Sequence, residues 1–188
     1  IQKMITFAQE ETEYATRGKL NVKRLNCGKV TARVFDRKRI PSDVADLIIG
    51  VAVDLSGSMH GDRINNARKC AVAIAEICNK LSVPVYIMGY TGDCYGYRAV
   101  HEHFVTWKNS QNDRLSLLNI KAQCENYDGP SIRYFTEIIR KKQARHKLMI
   151  VISDGCPCAN DYRGASANKD TALAIREARK VCDVLGVA

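Results

Sequence analysis

The chain has 188 residues, of which 46% are hydrophobic and 26% are charged, and this balance excludes a disordered polypeptide. Its length suits one domain of roughly 100 to 200 residues. No apolar stretch approaches the roughly 20 residues that cross a bilayer, and the first residues lack a signal-peptide pattern. The first residue is Ile1 rather than methionine, which fits a piece of a longer chain.

The net charge of +9 comes from 29 Lys and Arg residues against 20 Asp and Glu residues. Such a charge suits nucleic acid or an acidic protein partner. Much of it lies in two runs, residues 33–39 and 140–147, and neither run alternates with aromatic residues as a stacking surface for bases requires. The second run ends a predicted helix, where cations complement the helix dipole. We expect a solvated basic surface rather than a nucleic-acid site.

Eight cysteines are many for a chain of this length. They suit either the disulfides of a secreted protein or buried thiols. Cys70, Cys78 and Cys182 fall in helical patterns, and no pair has the CxxC spacing of a zinc ribbon. We therefore expect mainly reduced thiols in a cytoplasmic protein. Cys156 and Cys158, separated by one proline, make an incomplete zinc set, and their role stays open.

The first 43 residues are predicted to form an extension packed on the main domain. Residues 1–17 have the pattern of an amphipathic helix, which Gly18 would end. The apolar residues within 30–34 alternate with polar neighbours, and this alternation predicts a strand or an edge hairpin. The main domain is expected to span residues 44–188.

Strand and helix patterns alternate through residues 44–188. The predicted elements are strand 47–53, helix 62–81, strands 85–90 and 98–107, a helix containing 132–139, strand 148–152 and helix 168–185. The short connection at 91–97 permits antiparallel pairing. These elements predict an α/β fold with a doubly wound, mostly parallel sheet, one antiparallel edge strand and helices on both faces. Residues 186–188 are expected to begin a further strand that is cut short.

Oxygen-bearing side chains follow two of the predicted strands. Asp54, Ser56 and Ser58 follow the strand 47–53, and Asp154 follows the strand 148–152. In α/β sheets ligands bind outside the carboxyl ends of strands, so parallel neighbouring strands would bring these side chains into one crevice. Carboxylates and hydroxyls are hard ligands that suit Mg²⁺.

The segment DLSGSM resembles the DxSxS signature of von Willebrand factor A domains, and Ser153-Asp154-Gly155 resembles their later strand end. The resemblance implies a metal-ion-dependent adhesion site with Asp54, Ser56, Ser58 and Asp154 as its ligands, holding Mg²⁺ or, instead, Mn²⁺ or Ca²⁺. The family adds a threonine from a middle loop, where this chain has Asn126-Tyr127-Asp128-Gly129. Asp128 is a metal ligand through water, an acceptor behind the ligands, or a turn residue.

The Asp-Gly pair and the VFDRKR segment resemble the C-terminal domain of cobaltochelatase CobT-type subunits. This resemblance implies a non-catalytic protein-binding module in a cobalamin-biosynthesis complex, beside an AAA-type ATPase or chelatase subunit that offers an acidic side chain. Another AAA or MoxR-type ATPase is the alternative partner. No GxxxxGK[ST] loop is present. The alternatives of another class are a metal-assisted hydrolase, although the same loops contain no clear general base, and a basic nucleic-acid-binding module. His101 and His103 are predicted to form a surface pair.

Overall fold

The computed structural model describes residues 12–15, 19–20, 22, 35–38, 45–94, 97–155 and 157–187. The chain divides into two compact units, residues 1–46 and 47–188. The strand or hairpin predicted at 30–34 lies outside the described residues. No helix within the described ranges is long and apolar enough to cross a membrane.

The first unit contains a three-stranded antiparallel sheet in the order β1-β3-β2. Its strands are β1 (Thr12–Ala15), β2 (Lys19–Leu20) and β3 (Phe35–Lys38). The predicted helix is therefore wrong at Thr12–Ala15, and residues 1–11 lie outside the described part of the chain. Threonine and tyrosine favour strands, and the pairing of β1 with β3 from Thr12 opposite Lys38 to Ala15 opposite Phe35 outweighs the local helical pattern.

The second unit is a five-stranded sheet in the order β6-β5-β4-β7-β8. β5 runs parallel to β4, β8 runs parallel to β7, and β6 runs antiparallel to β5 at one edge. The predicted mostly parallel sheet with one antiparallel edge strand is confirmed. The elements are β4 (Ala45–Asp54), α1 (Asp62–Lys80), β5 (Val85–Gly92), β6 (Ala99–Val105), α2 (Gln111–Ser116), α3 (Asp128–Lys141), β7 (Ala144–Ile152), α4 (Gly164–Ala178) and β8 (Asp183–Val187).

Helices cover both faces of the central strand β4. Val51 and Val53 lie in the hydrophobic core with Ala67 and Ala71 of α1, which are buried. The opposite face of β4 carries Gly50, where an added Cβ would lie only 2.7 Å from a methyl group of Ile139 in α3. Side chains of α3 therefore pack directly against the backbone of β4, and this contact helps to fix the position of the helix that begins at Asp128.

Two elements differ from the sequence prediction. The short helix α2 was not predicted, and Ser110 caps it by accepting a hydrogen bond from the backbone of Asp113 at 3.2 Å. The helix predicted over 168–185 ends at Ala178, and Asp183–Val187 forms β8 instead. Pairing with β7 decides between the two structures, because it supplies backbone partners along the whole of Asp183–Val187.

Of the cysteines that the structure describes, four are free thiols and two form a disulfide. Cys94 and Cys124 form a disulfide, so the expectation of reduced thiols is wrong for this pair. Burial raises the pKa of the Cys78 and Cys182 thiols to about 11, which keeps both protonated at neutral pH. Cys27 and Cys156 lie outside the described residues. The free thiols are Cys70, Cys78, Cys158 and Cys182.

Candidate metal centre

Two strand ends meet at the carboxyl edge of the second sheet. β4 ends at Asp54, and Ser153 and Asp154 directly follow the neighbouring strand β7. The Ser153 hydroxyl donates a hydrogen bond to Asp54 Oδ2 at 2.9 Å. The structure therefore brings together the two segments that the sequence placed at strand ends.

The loop after β4 folds around the Asp54 carboxylate. Asp54 is fully buried, and its Oδ1 accepts a hydrogen bond from the Ser56 backbone at 2.8 Å. The Ser56 and Ser58 hydroxyl oxygens lie 3.0 Å apart. The backbone of Gly57 donates to the carbonyl of Cys124 at 2.6 Å, which ties this loop to the segment before α3. The two hydroxyls are thus held beside one buried carboxylate.

Asn126 links the middle loop to the strand end. It is 1% exposed, and its Nδ2 donates to Asp54 Oδ2 at 3.1 Å and lies 3.5 Å from Asp128 Oδ1. Its Oδ1 accepts from the Cys158 backbone at 2.6 Å. Sequence reasoning noted this asparagine where the family has a threonine but gave it no role. Its two-sided bonding makes it the bridge between three loops.

Asp128 is the first residue of α3 and is 3% exposed. A Cβ at the next residue, Gly129, would meet the Asp170 carboxylate and the Tyr162 hydroxyl, so a larger residue there would displace these two side chains. The Gly129 backbone donates to the Tyr162 oxygen at 3.1 Å, and Tyr162 donates to Asp170 at 2.9 Å. Asp170 in turn accepts two hydrogen bonds from Arg133, at 2.6 and 3.1 Å. This network fixes the start of α3 against α4, and with it the position of Asp128.

The carboxylates at this edge repel one another. Burial raises the pKa of Asp54, although hydrogen bonds from Ser56, Ser153 and Asn126 oppose the rise. Burial and the charges of Asp54 and Asp154 raise the pKa of Asp128 to about 6. Tyr90 of β5 is fully buried, and its pKa is raised well above the usual value by burial and by the charges of Asp128 and Asp54. A cation at this edge would offset an unfavourable concentration of negative charge.

Arg63, in the first turn of α1, is the positive group beside these carboxylates. Its Nη1 lies 3.3 Å from Asp154 Oδ2 and donates to the Ser58 carbonyl at 3.2 Å. The Asp154 side chain is 9% exposed, whereas that of Arg63 is 64% exposed. The arginine thus approaches the site from its solvent side.

Comparison with known proteins agrees with the fold of the second unit. Residues 34–121 match the family model described as the Cobalamin biosynthesis protein CobT VWA domain. The five-stranded, mostly parallel sheet with one antiparallel strand is the fold of that kind of domain. The second unit is folded as a von Willebrand factor A domain. It resembles the C-terminal domain of CobT, as the sequence analysis predicts.

Three individual proteins similar to this chain share less than a third of its residues and are longer than it is. The chain is 29% identical over 171 residues to the uncharacterized protein YojO of Bacillus subtilis strain 168, covering 87% of this chain and 26% of YojO. Two solved structures share the fold. The pilus adhesin SpaC from Lactobacillus rhamnosus GG, in an open conformation, has a TM-score of 0.57 at 16% identity and covers 77% of this chain and 24% of SpaC. The conserved hypothetical protein BatB from Bacteroides thetaiotaomicron has a TM-score of 0.55 at 18% identity. The match covers 74% of this chain and 65% of BatB. This chain therefore spans about a quarter of YojO and SpaC.

The oxygen atoms of the von Willebrand factor A domain fit a magnesium ion better than a zinc ion. Within the described ranges, no three Asp, Glu, His or Cys side chains converge closely enough to hold a metal by themselves. The convergent donors are Asp54 with the neutral hydroxyls of Ser56 and Ser58, while Asp128 and Asp154 add negative charge nearby. Mg²⁺ accepts such a set because it binds few protein oxygens and retains several waters.

The two histidines of β6 lie in an aromatic cluster on the von Willebrand factor A domain. His101 stacks on Tyr134 with ring centroids 4.2 Å apart, and burial lowers its pKa. His103 Nδ1 lies 3.0 Å from the Tyr86 hydroxyl. The ring face of His101 and a ring nitrogen of His103 are thus used in contacts with tyrosines, which agrees with the predicted surface pair.

Proposed function

We propose that this von Willebrand factor A domain is a metal-dependent protein-binding module that holds one Mg²⁺, or Mn²⁺ or Ca²⁺ in its place. The observation that carries the proposal is the fully buried Asp54 carboxylate, which faces only neutral hydrogen-bond donors and lies beside the paired hydroxyls of Ser56 and Ser58. An uncompensated buried carboxylate is costly, and a divalent cation removes that cost. The ion would be held by Asp54, Ser56 and Ser58. Asp154 and Asp128 would bind it directly or through a water molecule.

The ion would serve to grip an acidic side chain of a partner protein. Two of its ligands would be neutral hydroxyls, so the bound cation keeps enough positive charge to attract a carboxylate in place of a water. The net charge of +9 favours the approach of an acidic partner. The resemblance to CobT supports a chelatase subunit or an AAA-type ATPase of a cobalamin-biosynthesis complex, in the cytoplasm, as that partner. Another AAA or MoxR-type ATPase is the second candidate.

Binding without catalysis is the role that the site supports best for the domain by itself. The acids at this edge are Asp54, Asp128 and Asp154, and they lie where the cation would engage them. A hydrolase needs a base that remains able to take a proton from water. The domain would therefore leave nucleotide hydrolysis to its partner.

Calorimetric titration with Mg²⁺ and Mn²⁺ tests the metal site. We expect the unmodified domain to bind one ion and the Asp54→Asn variant to lose at least tenfold in affinity, because the only buried charge at the end of β4 is removed. Asp183→Asn is the matched control, since Asp183 is exposed at the start of β8. Equal affinities for the unmodified domain and Asp54→Asn would place the ion elsewhere and overturn the proposal.

A further inference from the structure

Helix stability does not explain the position of Arg63. α1 begins at Asp62, so Arg63 lies in the first turn of the helix. The helix dipole is positive there and disfavours a cation. The placement therefore depends on what the guanidinium contacts outside its own helix.

The guanidinium of Arg63 is only partly engaged. In the part of the chain that the structure describes, only Nη1 forms hydrogen bonds, one to Asp154 and one to the Ser58 carbonyl, and both donor–acceptor distances exceed 3 Å. Within the described residues Nε and Nη2 make no hydrogen bond, and the side chain is 64% exposed. A guanidinium has five N–H donors in a planar fork that matches a carboxylate. Most of this binding capacity remains available at the edge of the candidate metal centre.

There is room for a guest side chain beside Arg63. A cavity of about 420 Å³ is bounded by Arg63, Ser153 and Asp154 on its polar side and by apolar side chains that include Met59 and Ile152. The cavity thus adjoins the strand end at which the ion is proposed to lie. A carboxylate reaching the ion from solvent would pass within reach of the guanidinium.

We propose that Arg63 is a specificity-determining residue that binds the partner's carboxylate together with the metal ion. This inference rests on the proposed function. One carboxylate oxygen would bind the ion that Asp54, Ser56 and Ser58 would hold, and the other would accept hydrogen bonds from the free side of the guanidinium. Arg63 selects an acidic side chain over an amide of the same shape, because the charge-assisted hydrogen bonds require a carboxylate.

The test uses two matched probes, N-acetyl-glutamate N-methylamide and N-acetyl-glutamine N-methylamide, titrated into the domain with Mg²⁺ and followed by NMR. We expect only the glutamate probe to bind and to shift the Arg63 side-chain NH signal. Arg63→Gln should weaken the binding of this probe about tenfold without weakening Mg²⁺ binding. The affinity of Arg63→Lys for the glutamate probe should lie between those of the unmodified domain and Arg63→Gln, because lysine keeps the charge but lacks the planar guanidinium. Arg140→Gln, which changes an exposed arginine at the end of α3, is the control.

Two failures are distinguishable. If the unmodified domain binds no Mg²⁺, the proposed function is wrong and this inference falls with it. If Mg²⁺ binds but the glutamate probe does not, or binds Arg63→Gln and the unmodified domain equally, only the role of Arg63 is overturned. Because the Arg63 side chain is exposed, we expect its variants to fold as the unmodified domain does, and their melting temperatures check this.

Discussion

Asp128 is the residue whose ionisation most clearly links the site to stability. Its pKa is about 6 in the folded domain, against an ordinary value of 3.8. The folded state therefore holds a proton more tightly than the unfolded state. The resulting stabilisation is complete below pH 4 and is lost as the pH rises through about 6. A difference of about two pKa units corresponds to roughly 3 kcal/mol.

We predict that the metal-free domain is more stable at pH 5 than at pH 7.5, by about 1.4 kcal/mol from Asp128, because only the interval between pH 5 and the pKa of about 6 contributes over this range. Urea unfolding in chelator at the two pH values measures the difference. Asp128→Asn should reduce it without abolishing it, because the pKa of Asp54 is raised too. Added Mg²⁺ should restore stability at pH 7.5. An unchanged pH dependence in Asp128→Asn would show that Asp128 is not the group responsible.

At the scale of elements, the segment before α3 is fastened to the loop after β4. The backbone of Gln123 donates to the Leu55 carbonyl, and that of Gly57 donates to the Cys124 carbonyl, both at 2.6 Å. The Cys94–Cys124 disulfide joins this segment to the connection between β5 and β6. The covalent bond thus restrains the loop that carries Asn126 to Asp54.

We predict that reduction of this disulfide lowers the free energy of unfolding by about 3 kcal/mol and weakens Mg²⁺ binding. The cause is the added freedom of the segment that places Asn126 and Asp128. Urea unfolding and calorimetry with and without a phosphine reductant measure both effects. Cys94→Ser should resemble the reduced protein and should not respond to reductant. A reductant effect that persists in Cys94→Ser would assign it to other cysteines.

The sequence predicts the elements whose signals are local. Apolar runs mark β4 and β7, and the acids that follow them mark the site, because each lies within a few residues of its strand. The β1 strand and the first residues of β8 escape such reasoning, since their partners β3 and β7 decide their structure, although the strand expected from residue 186 onward begins within β8. The roles of Asn126, Gly129 and the Cys94–Cys124 pair also escape it. Each depends on contacts with residues about 30 or more positions away, and no local pattern records these contacts.

For the whole molecule, we predict that capture of the partner requires a divalent cation. A pull-down with the domain from the source lysate should retain the chelatase or ATPase subunit in Mg²⁺ and lose it in chelator. The metal-binding variant Asp54→Asn should fail to capture it, whereas Asp183→Asn should behave as the unmodified domain. The basic net charge should make capture weaken with salt. Retention of the same subunit in chelator would contradict the gripping role.

The amide of Asn126 faces in two directions at once, with its nitrogen toward Asp54 and its oxygen toward the Cys158 backbone. Neither end can be exchanged for the other without setting oxygen against oxygen or nitrogen against nitrogen. Hydrolysis of this amide to a carboxylate would leave the shape of the loop nearly unchanged but would place a new negative charge against Asp54. The centre thus depends on the identity of one atom, because exchanging the amide nitrogen for oxygen would turn an attraction to Asp54 into a repulsion while the fold stays the same.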